Sequence, residues 1–220
     1  LSASVDTSRK SFRLALFALA MALVVAAASG VRFVGLDDLV VWHDEAFTLI
    51  RVLGYGQDDV SAGLFNAELL APADVLRFQQ PDPDRGWSET WRALAQHPEH
   101  APLYYALGRA AIALPLDPVT ALRGTAAVFG MLLPIAVFWL MRVLFGRGPV
   151  PWVAAALTAC SPIHFLYAQE ARQYALWLLA TVAASAALQS ALRRGRRRDW
   201  WLYGGCLTVG LYAHLLFVLL

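Results

Sequence analysis

The sequence predicts an all-α polytopic membrane helix bundle with an outer first loop that carries juxtamembrane helices. Three observations predict it. Of 220 residues, 59% are hydrophobic and only 15% charged, against about 25% charged in a soluble domain. Apolar stretches long enough to cross a bilayer recur at about 14–31, 124–141, 150–167, 173–192 and 200–220. The polar residues concentrate in one long segment, 32–101, between the first and second of these. The mean hydropathy of +0.52 agrees.

Residues 1–13 are polar and include Arg9, Lys10 and Arg13, whereas 14–31 carry no charge. At 1.5 Å per residue that run covers roughly 27 Å, enough to span. The small residues Ala27-Ala28-Ser29-Gly30 also suit a cleaved signal peptide, but the later spans favour a retained helix. Either way 32–101 lie outside the cytoplasm. Within this loop a helix is expected over 45–53, closed by Gly54. Another is expected over 88–96, with Ser88 as N-cap. Trp87 and Trp91 suit a membrane interface, and Pro81-Asp82-Pro83-Asp84 is turn chemistry.

Segment 102–116 is apolar but short, holds Arg109 and ends near Pro115. If it crossed the membrane, Arg193-Arg194-Gly195-Arg196-Arg197-Arg198 would fall outside, against the positive-inside rule. An interfacial helix at 102–116 instead puts the N-terminal basic residues, Arg142, Arg147 and the arginine cluster in the cytoplasm. On that reading Arg109 reaches the aqueous edge and tolerates lysine. The whole chain, 1–220, is then one transmembrane unit with a cytoplasmic N-terminus and an outer loop over 32–123. Beginning at Leu1 and stopping inside an apolar run, it is expected to be the N-terminal part of a longer protein.

With that topology, polar clusters distant in sequence share the outer face. Trp42-His43-Asp44-Glu45 is the first. Asp44 suits a general base with Glu45 orienting, or an N-cap for the helix that follows. His97-Pro98-Glu99-His100 offers histidines, but not at metal-ligand spacing. Gln169-Glu170-Ala171-Arg172 is either a solvated turn or a guanidinium that grips a phosphate. The arginine cluster is too short, and too closely tethered between spans, for nucleic acid; it suits anionic lipid heads. Cys160 and Cys206 lie apart in apolar stretches and read as small core residues.

The motifs resemble the family 39 type of membrane glycosyltransferase, in the GT-C class that includes protein O-mannosyltransferases and aminoarabinose transferases. The resemblance rests on Asp44-Glu45, His100-Ala101-Pro102-Leu103-Tyr104-Tyr105, and Leu122-Arg123 with Gly130. Leu144-Phe145-Gly146-Arg147 and the stretch from Ser161-Pro162 to Tyr174 complete it. The order and spacing over 40–175 are more specific than any single motif, and His100-Ala101-Pro102 departs from the usual double proline.

The resemblance implies inverting transfer of a sugar from a polyprenyl-phosphate donor to an acceptor hydroxyl outside a plasma membrane, the inner one in a bacterium. Asp44 and Glu45 would be the catalytic carboxylates. Arg172, Glu170, Arg123 and His100 would bind donor phosphate or substrate. No cofactor and no metal site is expected, and the expected partners are the lipid donor, an acceptor and membrane lipids. The alternative is a transporter or flippase-like protein for a lipid-linked substrate.

Overall fold

A computed structural model describes residues 2–66 and 69–219, with side chains from residue 11 onward. The side chains of Arg9 and Lys10, and the last residue of the expected 200–220 span, lie outside it. The described residues form helices, turns and irregular segments only, with no strand. Three helices are long and apolar enough to cross a membrane, four if a bent pair counts as one span.

Helix α1 (Ser2–Gly30) packs against α8 (Pro149–Ala159). The long α7 (Pro118–Phe145) lies between α8 and α10 (Tyr174–Arg194), and α11 (Arg197–Ala213) covers the other side of α10. Asp117 starts α7 by accepting from the Val119 and Thr120 amides, at 3.0 and 3.3 Å, so the exposed amides at this terminus are satisfied. Pro134 sits inside α7 without ending it.

Two expected spans are altered. Residues 150–167 are not one helix: α8 stops at Ala159 and α9 (Pro162–Ala168) leaves at 58°. Pro162 has no N–H to donate, and its ring holds Ser161 extended, with ψ 123°. Cys160 is therefore exposed at a corner rather than buried in a core. Residues 200–220 also break. Helix α11 covers only 17 residues, His214 is extended, and a 3₁₀ turn over Leu215–Leu219 follows. That turn lays Phe217 against Gly210, where a Cβ would meet the ring at 2.2 Å.

The loop between α1 and α7 folds into α2 (His43–Val52), α3 (Gln57–Leu64), α4 (Pro72–Leu76), α5 (Trp87–Ala95) and α6 (Leu103–Ala111). Helix α6 has nine residues, about 14 Å, far short of a span. Helix α2 ends in a Schellman turn: Gly54 N–H donates to Arg51 O and Tyr55 N–H to Ile50 O, both at 3.0 Å. Gly54 takes φ +88°, and a Cβ there would meet Glu89 at 2.7 Å. Helix α5 begins one residue before Ser88, whose hydroxyl turns to the Glu89 carboxylate instead of capping. Leu49, Val52, Leu53, Leu94 and Tyr105 form the loop's core and continue onto α7 through Leu122. Arg109 does not reach outward. Its guanidinium donates to Val52 O at 3.2 Å and Arg85 O at 2.6 Å, a two-armed bridge that lysine cannot copy.

Both ends of the bundle are tied by arginines. At one end Arg193 donates to the carbonyls of Val143 and Leu144, closing the C-terminus of α7 onto that of α10. At the other, Arg32 donates to Ala28 O at 2.6 Å and Ala159 O at 2.9 Å, joining the ends of α1 and α8. Gln169 adds a bond to Val34 O at 2.9 Å.

Helices α7 and α9 approach closely at Gly130, where a Cβ would lie 2.3 Å from the Ala168 Cβ. Gly130→Ala should therefore lower the thermal midpoint in detergent, with an overpacking cost of about 1–3 kcal/mol. Adding Ala168→Gly should restore most of it. A double variant no more stable than Gly130→Ala would show that the contact is not limiting.

Candidate active site

Helix α2 delivers the first polar cluster. It starts at His43, one residue before the expected cap, so Asp44 lies inside the first turn and caps no amide. Its neighbour Glu45 reaches back toward the Trp42 N–H at 3.4 Å, as the third residue of a helix often does. Residues four and seven after Asp44 fall on the same helical face. Asp44, Thr48 and Arg51 therefore line one side of α2.

Glu45 turns the other way, into the protein. Its Oε1 accepts from Arg123 Nε at 2.9 Å and from the Ala171 N–H at 2.7 Å, and its Oε2 accepts from Arg123 Nη2 at 2.7 Å. Arg123 Nη1 also donates to Leu36 O at 2.7 Å and Leu39 O at 2.9 Å. The two side chains are 2% and 1% exposed. Both were expected to touch substrate, Glu45 in catalysis and Arg123 at the donor phosphate. The structure gives them another task. Their hydrogen-bonding capacity is spent on each other and on backbone from two further segments, so they hold the site without facing it.

The open cleft has a volume of about 610 Å³ and is lined by Asp44, Arg51, His100 and Arg172, among others. This is the size of a small-molecule site. The Asp44 carboxylate is 34% exposed, 3.6 Å from Arg172 Nη2 and 3.3 Å from His43 Nδ1. Arg172 Nη1 donates to Thr48 Oγ1 at 3.1 Å and Asp44 O at 3.3 Å. The Nε atoms of Arg172 and Arg51 are buried with no hydrogen-bond partner among the described residues. Arg51 Nη1 donates to Phe47 O at 3.3 Å, with the guanidinium over the Phe47 ring. Two guanidinium groups therefore lie beside one carboxylate at the cleft.

His100 closes the cleft from the loop before α6. Burial lowers its pKa to about 4, helped by the positive charges of Arg51 and Arg172. Its ring stays neutral at pH 7. His97 and Glu99 lie alongside, with Nδ1 of His97 3.0 Å from the Glu99 carboxylate. Glu170 stands at the α9–α10 corner outside the cleft lining, and its Oε2 is buried without a partner among the described residues. Burial and the nearby Glu45 charge raise its pKa. No three His, Cys, Asp or Glu side chains among the described residues are grouped to hold a metal ion.

Arg51 and Thr48 were not singled out from the sequence. The signal was present as their register with Asp44, but a lone arginine before a glycine turn reads equally well as a helix C-terminal charge. Only the packing of α2 against the α9–α10 corner shows that it lines the same cleft as Arg172.

Two outcomes test this division of roles. Removing one partner of a buried ion pair costs about 3–5 kcal/mol. Glu45→Gln should therefore lower the melting temperature sharply, while Asp44→Asn should leave it near wild type. Equal stability of the two variants would return Glu45 to the cleft.

The second outcome is a pH dependence. An unfolded histidine binds a proton below about 6.5, but His100 does so only near 4. Between these values the unfolded state holds the extra proton, so stability falls as pH falls through the window. His100→Gln should flatten that loss, measured as the melting midpoint at pH 7.5 and pH 5. Parallel losses in both proteins would place His100 in an ordinary solvated setting. No protein-family model matches this chain, and neither a curated protein nor a solved structure does.

Proposed function

We propose that the chain carries the active site of an inverting glycosyltransferase. It would take a sugar from a polyprenyl phosphate and pass it to an acceptor hydroxyl on the outer face of a plasma membrane. The observation that carries this reading is the half-open Asp44 carboxylate, 3.6 Å from a guanidinium whose buried Nε is unused. A base for the incoming hydroxyl and a receptor for the departing phosphate are thereby adjacent.

In the reaction the acceptor oxygen attacks C1 of the sugar as its proton passes to Asp44. The C1–O bond to the lipid phosphate breaks on the opposite side, inverting the centre. Arg172, with Arg51, stabilises the charge that grows on the phosphate, an effect that is often the largest in enzymatic catalysis. Neutral His100 shapes the cleft without adding a third positive charge. Glu45 and Arg123 position Asp44 and Arg172 through α2 and the Ala171 amide.

A carrier of lipid-linked substrates is the second reading, favoured by the single 58° break between α8 and α9. Carriers of that kind use broken helices in pairs around a midplane site. The cleft instead lies beyond the helix ends, which favours transfer chemistry.

The test uses the full-length protein in proteoliposomes with defined polyprenyl-phosphate sugars. Asn cannot take the proton, so Asp44→Asn should lose about 10²–10⁴-fold in turnover with its melting temperature kept. Arg172→Lys should raise the KM for the lipid donor more than that for the acceptor. Full turnover by Asp44→Asn, or no transfer from any lipid donor by the wild type, would overturn the proposal.

A further inference from the structure

Helices α7 and α11 both pack on α10. Between them α10 forms the floor of an open groove of about 720 Å³. Leu132, Ile135 and Trp139 line it from α7, and Leu202, Gly205 and Val209 from α11. Residues spaced by three and four share one helical face, so the groove runs along the helix axes. From Leu132 to Trp139 is two turns, about 10 Å. Small residues open its middle: Ala180 and Ala183 on the floor, and Gly205, where a Cβ would meet nothing within 4 Å. Trp139 and Trp201 stand at one end.

That end is where the arginines collect. Arg193 ties the C-terminus of α10 to that of α7, and α11 starts at Arg197 just beyond. Arg142 lies one turn past Trp139 on the same face of α7, and Arg197 and Arg198 lie one turn before Trp201 on α11. Arg142 is half-buried, while Arg197 and Arg198 are exposed. Arg198 Nε is 3.9 Å from the Asp199 carboxylate. Among the described residues, Arg142 and Arg197 meet no carboxylate.

An apolar groove, then tryptophans, then guanidinium groups is the order of a phospholipid read from tail to head. Tryptophan settles at the headgroup level of a bilayer, and arginine matches phosphate oxygens in pairs. A protein segment seated in the groove would have to bring a carboxylate to the same place. An anionic phospholipid carries its charge there already. We propose that the groove is a site for one anionic phospholipid of the adjacent leaflet, with an acyl chain between α7 and α11 and the head at Arg142, Arg197 and Arg198. The groove shares no lining residue with the cleft around Asp44, so its occupant is independent of any transfer chemistry there.

The experiment places the full-length protein in phosphatidylcholine nanodiscs doped with phosphatidylglycerol that carries a diazirine in one acyl chain. Adducts should fall on the α7 peptide around Ile135 and the α11 peptide around Gly205. The same diazirine chain on a phosphatidylcholine head should label both peptides several-fold less. Arg142→Gln combined with Arg197→Gln should weaken phosphatidylglycerol labelling about fivefold for each arginine lost. Gly205→Phe should fill the groove and abolish labelling. Because a Cβ has room at this position, its melting temperature should stay near wild type.

Four results would overturn the proposal. Equal labelling by the two heads would make the lipid an unselected neighbour in the bilayer. Adducts confined to other helices would place the phospholipid elsewhere. Full labelling of Gly205→Phe, or of the double arginine variant, would separate binding from this groove or from its charged end. A wild-type groove left unlabelled by either probe would show that protein, a further segment or a second copy, covers it.

Discussion

The ion pair between Glu45 and Arg123 is the constraint on which the rest of this end of the molecule depends. Burying two charges is costly, and their attraction offsets that cost only when geometry is good and the remaining donors and acceptors are filled. Here they are. The pair is bidentate, the Ala171 amide completes one oxygen, and the carbonyls after α1 take the other arm of Arg123. One interaction thereby joins α2, α7, the segment after α1 and the α9–α10 corner. These are the elements that present Asp44, Arg51 and Arg172. A mobile loop on a membrane bundle would not hold a carboxylate and two guanidinium groups in register; this one is pinned at its first turn.

The same end shows a contrast in how fully its charges are satisfied. Arg123 has its donors occupied by protein. Arg172 and Arg51 keep a buried Nε unpaired, and Asp44 has only partial contacts. An unsatisfied buried donor is expensive, and Arg32, a structural tie between α1 and α8, carries one as well. Neutral His100 fits this electrostatic setting. Two guanidinium groups already oppose its protonation, so the cleft's positive charge stays with the arginines at physiological pH.

Helix breakers do as much here as helix formers. Pro162 bends the third apolar stretch and turns α9 across the bundle end, where Gln169 and Ala171 make their bonds. The glycine at 130 admits α9 close against α7, and Gly54 reverses the chain after α2. Each of these residues is simple in itself. Together they place the α9–α10 corner against α2, where Arg172 meets Asp44.

Much was legible in the sequence. Long apolar runs determined that the chain is helical and has membrane-spanning candidates, because only a span needs so many uncharged residues in a row. The short, arginine-bearing run before Pro115 announced a helix too short to cross. The residue types of the candidate site were visible too: a carboxylate pair, a histidine stretch and a turn holding an arginine. What the sequence left open was how these residues divide the work. Adjacent carboxylates look alike in one dimension, yet successive residues on a helix point about 100° apart. Asp44 therefore opens on the cleft while Glu45 enters the core. Arg51 faces the cleft with Arg172, and Arg123 does not, because α2 packs on α7 at one particular rotation. Such a rotation is decided by contacts among residues scores of positions apart, and only the tertiary structure holds that information.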